Sequence, residues 1–253
     1  MLSKSVFRLV RSLDTRKGRR QEGLFVAEGP RLVGELLGHF CCHHLYATAE
    51  WLTTAASRVA PFPHTEVSAE ELARISLLQT PQQVLALFHI PDDQHPDPTR
   101  LTGLHLALDS VQDPGNLGTI IRVADWFGIE HIWCSTTTAD VWNPKVVQAS
   151  MGGLSRVRVH YLDLCPFLAS LPEDFPVFGT SLDGQSLWYE PLSQQGIIVM
   201  GNEGNGVSAE VDALCTRRLL IPNYPSGQTT TESLNVAMAT GIVLAEFRRQ
   251  SQP

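Results

Sequence analysis

The chain has 253 residues, 43% hydrophobic and 18% charged, enough apolar content to bury a core and to exclude a disordered protein. Its 19 basic and 26 acidic residues sum to −7, which, if evenly spread, argues against a polyanionic partner. The charge is not evenly spread. Residues 1–20 hold Lys4, Arg8, Arg11, Arg16, Lys17, Arg19 and Arg20 against Asp14 alone, a local +6 that leaves −13 for the other 233 residues. A compact basic segment on an acidic body confines phosphate attraction to one face; a solvated terminal helix is the competing reading.

In chain order, residues 5–12 read as a helix. The N-terminus has no secretory apolar stretch, because Lys4, Arg8 and Arg11 interrupt it; with an odd count of five cysteines, the expectation is a reduced, cytosolic protein. No apolar run approaches the ~18 residues of a membrane span. Residues 23–30 read as a short strand ending at the turn Gly29-Pro30, and a helix follows over 31–37 with Leu32, Val33, Leu36 and Leu37 as its stripe. Strands are expected at 44–48 and 84–89, flanking helices at 50–57 and 68–76. Cys41-Cys42-His43-His44 lacks the spacing of a metal site, since neighbours on a strand point to opposite faces, so no metal is expected there. Residues 91–98 combine three prolines with three acids and nothing apolar, the composition of a linker. The expected division is therefore a small α/β domain over 1–91, a linker over 92–102 and a second domain over 103–253.

Beyond the linker, strands at 104–109, 129–134, 157–161, 177–180, 197–201 and 218–222 alternate with helices at 118–127, 145–151, 164–171 and 209–215. A long helix over 234–248 closes the chain. Such alternation predicts a mostly parallel sheet covered on both faces, with ligands beyond the carboxyl ends of its strands.

Three strand-end segments carry chemistry. In Asp113-Pro114-Gly115-Asn116, a turn and cap signature, Asn116 sits at the mouth of a helix that carries Arg122 among Ile120, Ile121, Val123 and Ala124. A guanidinium in that setting seeks a carboxylate or a phosphate, or extends to solvent. The strand 197–201 runs into Gly201-Asn202-Glu203-Gly204-Asn205-Gly206, which fits neither a dinucleotide nor a phosphate-loop pattern and places a carboxylate where a phosphate nest would not. Ile221-Pro222 is followed by a polar loop and then Ser233-Leu234-Asn235. Ser233 is a good helix cap, whereas Asn235 is a poor helix former in the expected first turn.

Together these segments resemble the three motifs of the SpoU (TrmH) branch of the SPOUT RNA methyltransferases: Asn116 six residues before Arg122, the G-x-E-x-x-G of Gly201 to Gly206, and Ile221-Pro222 with Ser233-Leu234-Asn235. The match runs from about Leu104 to Arg249, and Leu24 to Gly29 looks like the ribosomal-protein-like substrate-binding module often fused in front. The resemblance implies an α/β fold with a C-terminal trefoil knot, a departure from the rule that chains do not thread loops. It implies transfer of methyl from S-adenosylmethionine to a ribose 2'-hydroxyl of ribosomal or transfer RNA, by a homodimer. By similarity the cofactor contacts fall on Thr180, Gly201, Ile221 and Leu234. The resemblance gives Arg122 the role of base, activated by an RNA phosphate; because a guanidinium stays protonated in proteins, Arg122 would instead clamp the phosphate and stabilise the developing alkoxide. Asn116, Glu203, Ser233 and Asn235 would order the loop and position the ribose, and Arg16, Lys17, Arg19 and Arg20 would contact RNA. The link at 223–232 is longer than the family's usual one, and its Tyr224 reads either as part of a surface turn or as a base-stacking ring. The intact set Asn116, Arg122, Glu203 and Asn235 speaks against the alternative of a catalytically silent RNA-binding or ribosome-assembly factor.

Overall fold

The computed structural model describes residues 2–92, 95–225, 231 and 233–251. The first half of the chain forms α1 (Lys4–Ser12), α2 (Arg16–Glu22), β1 (Leu24–Glu28), α3 (Pro30–Leu36), β2 (Cys42–Ala47), α4 (Ala49–Thr54), α5 (Ala56–Val59), β3 (His64–Glu66), α6 (Ala69–Ile75) and β4 (Val84–His89). The second forms β5 (Leu104–Leu108), α7 (Pro114–Trp126), β6 (His131–Ser135), α8 (Pro144–Ala149), β7 (Arg158–Leu162), α9 (Leu164–Ala169), β8 (Val177–Ser186), β9 (Gly196–Met200), α10 (Ala209–Asp212), β10 (Arg217–Leu220) and α11 (Val236–Gln250). Two compact units result, Met1–Asp92 with Asp140–Ser155, and Asp93–Ala139 with Arg156–Pro253.

In the first unit the strands lie in the order β1-β4-β2-β3, antiparallel except for the β2–β3 pair. Alternation along β1 sends Leu24 and Val26 to one face, where Val10 and Leu13 from α1 and its following turn meet Leu72 and Ile75 of α6. The opposite face receives Phe25 and Phe88. The Trp142 ring lies tilted there, its centroid 4.7 Å from that of Phe25, and Phe40 closes the aromatic group. This packing draws Asp140–Ser155 into the first unit although it lies beyond the linker in sequence. Glu28 is buried and held by the Ser76 hydroxyl and the Leu77 amide, while burial raises its carboxyl above the ordinary range. Two elements had no sequence signal. β3 is a three-residue exposed edge, and α2 has no apolar stripe, being set by the Thr15 cap and by Gly23 at φ 64°.

The second unit is the expected α/β sheet, with every adjacent pair parallel in the order β10-β8-β9-β5-β6-β7. Ala107, Trp133, Val177, Ile197 and Val199 face α9 and α10. On the other face α11 places Phe247 edge-on to Phe178. α7 and α11 run side by side in the same direction, since Asn235 bonds Asn116 at one end and Arg248 bonds the Phe127 and Gly128 carbonyls at the other. The chain reverses its direction of travel across the sheet between β5 and β9, which places the segments after β5, β8, β9 and β10 at one edge, where parallel sheets bind ligands.

Two helix starts differ from expectation. α7 begins at Pro114, not 118: Asp113 is the cap, accepting the Asn116 amide, and Pro114 presets the first helical φ. α11 begins at Val236, and its cap is Asn235 rather than Ser233; the Asn235 Oδ1 accepts the amides of Ala237 and Met238. Asparagine is among the best N-caps, which resolves its apparent misfit inside a helix.

Candidate functional site

A cleft of about 790 Å³ opens at the carboxyl ends of β8, β9 and β10. Its lining includes all four residues expected to hold a cofactor, Thr180, Gly201, Ile221 and Leu234, together with Glu203 and Ser233. The wall from β8 has an unusual origin. Gly179 pairs with Arg218, but the next pair on that edge is Gln185 with Leu219, so residues 180–184 leave the ladder and Thr180 to Asp183 line the cleft. Gly184 makes the return possible, because a Cβ there would stand 2.7 Å from the Leu219 carbonyl carbon. The expected strand stopped at 180; the Asp183-Gly184 dipeptide is the turn signal that marks the excursion.

The loop after β9 folds back on itself. Asn202 and Gly206 exchange backbone hydrogen bonds of 2.8 and 3.0 Å. A Cβ on Gly201 would meet the Gly206 carbonyl carbon at 2.1 Å, so this glycine is required by the chain's own closure and not by a phosphate. Glu203 is thereby turned toward α7. Its Oε1 accepts from the Asn116 Nδ2 at 2.9 Å, and the Asn116 Oδ1 accepts from the Asn235 Nδ2 at 2.9 Å. Three residues separated by 119 positions in sequence thus form one hydrogen-bonded row across β9, α7 and α11. Each amide is oriented by its neighbours, and the carboxylate at the end fixes the direction of donation.

Arg122 lies on α7, exposed, and makes no hydrogen bond or ion pair among the described residues. The sequence left a carboxylate partner, a phosphate and solvent open as its destination; among the described residues no carboxylate takes it. Ser233 is exposed and likewise makes no hydrogen bond among the described residues. The Thr180 hydroxyl donates to the Val199 carbonyl at 2.9 Å, so it braces β8 on β9. Asp212 on the cleft wall is held by Arg218 through two bonds. Cys215, packed under Gly179, has its thiol pushed up to about 12, mainly by burial, and serves as packing rather than chemistry. Of the loop 223–232, residues 226–230 and Glu232 lie outside the described residues, while Tyr224 is exposed.

The basic set of the first unit divides. Arg16, Lys17 and Arg20 are exposed on α2. Arg19 is only 2% exposed: its Nη1 donates to the Leu13 and Asp14 carbonyls, and its Nε and Nη2 both donate to the Asp140 carboxylate. The expectation of Arg19 as an RNA contact is corrected accordingly, since its guanidinium is fully used in the interior.

With this fold and row of residues in hand, comparison with known proteins is decisive: residues 103–245 match the SpoU rRNA Methylase family, and the chain belongs to it. Residues 5–86 match the MRM3-like substrate binding domain. An uncharacterized tRNA/rRNA methyltransferase of Synechocystis is 34% identical over 95% of this chain and 89% of its own length. The 23S rRNA (guanosine(2553)-2'-O)-methyltransferase RlmP of Bacillus subtilis is 31% identical over 94% of each. Among solved structures, an RNA methyltransferase of the TrmH family from Porphyromonas gingivalis superposes with a TM-score of 0.88 at 45% identity, covering 99% of both chains. The AdoMet-bound rRNA methyltransferase from Sinorhizobium meliloti has a TM-score of 0.84 at 28% identity, over 100% of this chain and 97% of its own.

Proposed function

We propose that this chain methylates a ribose 2'-hydroxyl of ribosomal RNA, with S-adenosylmethionine as donor, as a cytoplasmic homodimer whose sheet carries the family's trefoil knot. The observation that carries the reading is the Asn235–Asn116–Glu203 row at the mouth of the cleft, with an exposed Arg122, unpaired among the described residues, on the same helix as Asn116. The cleft suits the donor. Its volume of about 790 Å³ falls in the range of small-molecule sites. Leu182, Leu219, Leu234 and Val236 offer apolar surface for a flat base, while Ser181, Asp183, Ser233 and the loop backbone offer polar groups for ribose and amino-acid parts. When bound, the donor supplies a methyl group on a cationic sulfur.

The protein's own task is to present a weak nucleophile in line with that methyl, where positioning and charge stabilisation carry most of the rate. Arg122 grips the RNA phosphate beside the target ribose and stabilises negative charge as it develops on the 2'-oxygen. Glu203, Asn116 and Asn235 hold the loop and orient the ribose, and Ser233 offers an exposed hydroxyl at the same rim. Thr180, Gly201, Ile221 and Leu234 shape the donor's seat. Arg16, Lys17 and Arg20 on α2 make the first unit an RNA-docking domain, in keeping with its match to a substrate-binding family.

The dimer reading rests on α7 and α11. Trp126 is 85% and Met238 64% exposed on these neighbouring helices. An exposed apolar surface of this kind marks an association face. Among the described residues no helix is long and apolar enough to cross a membrane. The decisive experiment maps 2'-O-methylation across total RNA from cells with and without the gene. Loss of one ribosomal position is expected; an unchanged map would overturn the proposal, and loss of a transfer RNA position would redirect it.

A further inference from the structure

The loop that carries Glu203 is anchored on the opposite side by side chains at positions the three motifs leave unspecified. Asn202 is the centre of that anchor. Its Oδ1 accepts the amides of Gly204 at 2.9 Å and Asn205 at 3.1 Å, which closes the turn from within. Its Nδ2 donates to the Ser110 carbonyl at 2.8 Å and lies 3.5 Å from the Glu203 Oε2. One side chain therefore ties the turn to itself, to β5 and to the carboxylate.

The carbonyl it reaches is held in an unusual place. Ser110 has φ 61°, a left-handed conformation that non-glycine residues adopt at a cost and that structures retain where surrounding bonds enforce it. Here the Ser110 amide donates to the Ser135 hydroxyl at 2.9 Å, and its own hydroxyl pairs with Thr137 at 2.7 Å. Asp109, 5% exposed, accepts the Ser208 amide at 2.8 Å, pinning the far end of the same loop to β5. The end of β5 thus grips the Glu203 loop at both its start and its finish, and the strained turn aims the Ser110 carbonyl at Asn202.

We infer that Asn202, braced by the Ser110 carbonyl, is a positioning residue for methyl transfer: it sets the orientation of Glu203 and, through it, of Asn116 and Asn235. The inference rests on the function proposed above. Asn202→Asp separates the two jobs of this side chain. The variant keeps an oxygen to accept the Gly204 and Asn205 amides, so the turn survives, but it loses the donor to Ser110 and sets a negative charge against both that carbonyl and Glu203.

The test measures methyl transfer from labelled S-adenosylmethionine to ribosomal RNA extracted from cells lacking the gene, alongside donor affinity by calorimetry and thermal melting. Asn202→Asp is expected to lower kcat at least tenfold with the donor Kd within threefold and a single cooperative melting transition retained, whereas Asn202→Ala, which opens the turn, weakens donor binding too. Ser110→Val, which resists φ near +60°, is expected to lose kcat in the same way, and Ser110→Gly, which accepts it, to recover most of that loss. Near wild-type kcat in Asn202→Asp overturns the inference, as does a parallel fall in kcat and donor affinity. Absence of transfer by the unaltered protein overturns the function itself, and the inference with it.

Discussion

At the scale of single residues, the site is a problem in hydrogen-bond direction. An asparagine amide can donate or accept, so a row of two asparagines has no inherent polarity; the Glu203 carboxylate, which only accepts when charged, supplies it. Asn116 must then give its Nδ2 to Glu203 and its Oδ1 to Asn235, while Asn235 keeps its own Oδ1 for the α11 amides. Arg122 takes no part in that row among the described residues, and its exposed guanidinium is the group proposed above to meet a phosphate. Arg122→Ala is accordingly expected to reduce methyl transfer at least a hundredfold while donor affinity stays within threefold, read by single-turnover transfer and calorimetry. Full activity would remove Arg122 from the mechanism.

Among the elements, α2 shows how adjacent residues of one type divide between surface and interior. Arg16, Lys17 and Arg20 face solvent while Arg19, one step around the helix, satisfies two carbonyls and the Asp140 carboxylate inside the first unit. Removing one partner of a buried pair strands the other, so Arg19→Ala is expected to cost about 3–5 kcal/mol in urea unfolding, and Arg16→Ala less than about 0.5 kcal/mol. The strands β5, β6 and β7 carry a second such arrangement. His105, His131 and His160 cluster around Trp133, with the His131 Nδ1 3.0 Å from the His160 Nε2. Burial, with His160, His105 and Arg158 nearby, lowers His131 to about 4, and burial lowers His105 as well. The unfolded chain therefore takes up these protons first as pH falls. Stability is full above about 6.5 and is lost as pH drops from there toward 4. The urea midpoint should fall between pH 7.5 and 5, and His131→Gln should flatten that dependence.

For the molecule as a whole, a net −7 conceals an exposed cationic helix, and electrostatics act through the local face and not the sum. Replacing Arg16, Lys17 and Arg20 together by glutamine should weaken RNA binding and lower the slope of log affinity against log salt by about two to three, with donor affinity unchanged. An unaltered slope would return α2 to being a solvated helix. Association belongs to this scale as well. Trp126→Glu, on the exposed flank of α7, is expected to shift the proposed dimer to monomer in sedimentation, and a monomeric wild type would refute the dimer.

The sequence by itself determined the alternation that builds a parallel sheet, the strand ends at which chemistry gathers, and the residue types Asn116, Arg122, Glu203 and Asn235, because period, turn chemistry and motif spacing are local properties of a chain. Only the tertiary structure decided that Asp140–Ser155 packs into the first unit, that Arg19 is interior, that residues 180–184 leave the ladder with β10, and that Asn235 is joined to a residue 119 positions before it. Each of these depends on a partner far away in sequence: Phe25 for Trp142, Asp140 for Arg19, Leu219 for Gly184 and Asn116 for Asn235. Burial and hydrogen-bond direction are settled by what folding brings alongside a residue, and no window along the chain contains that information.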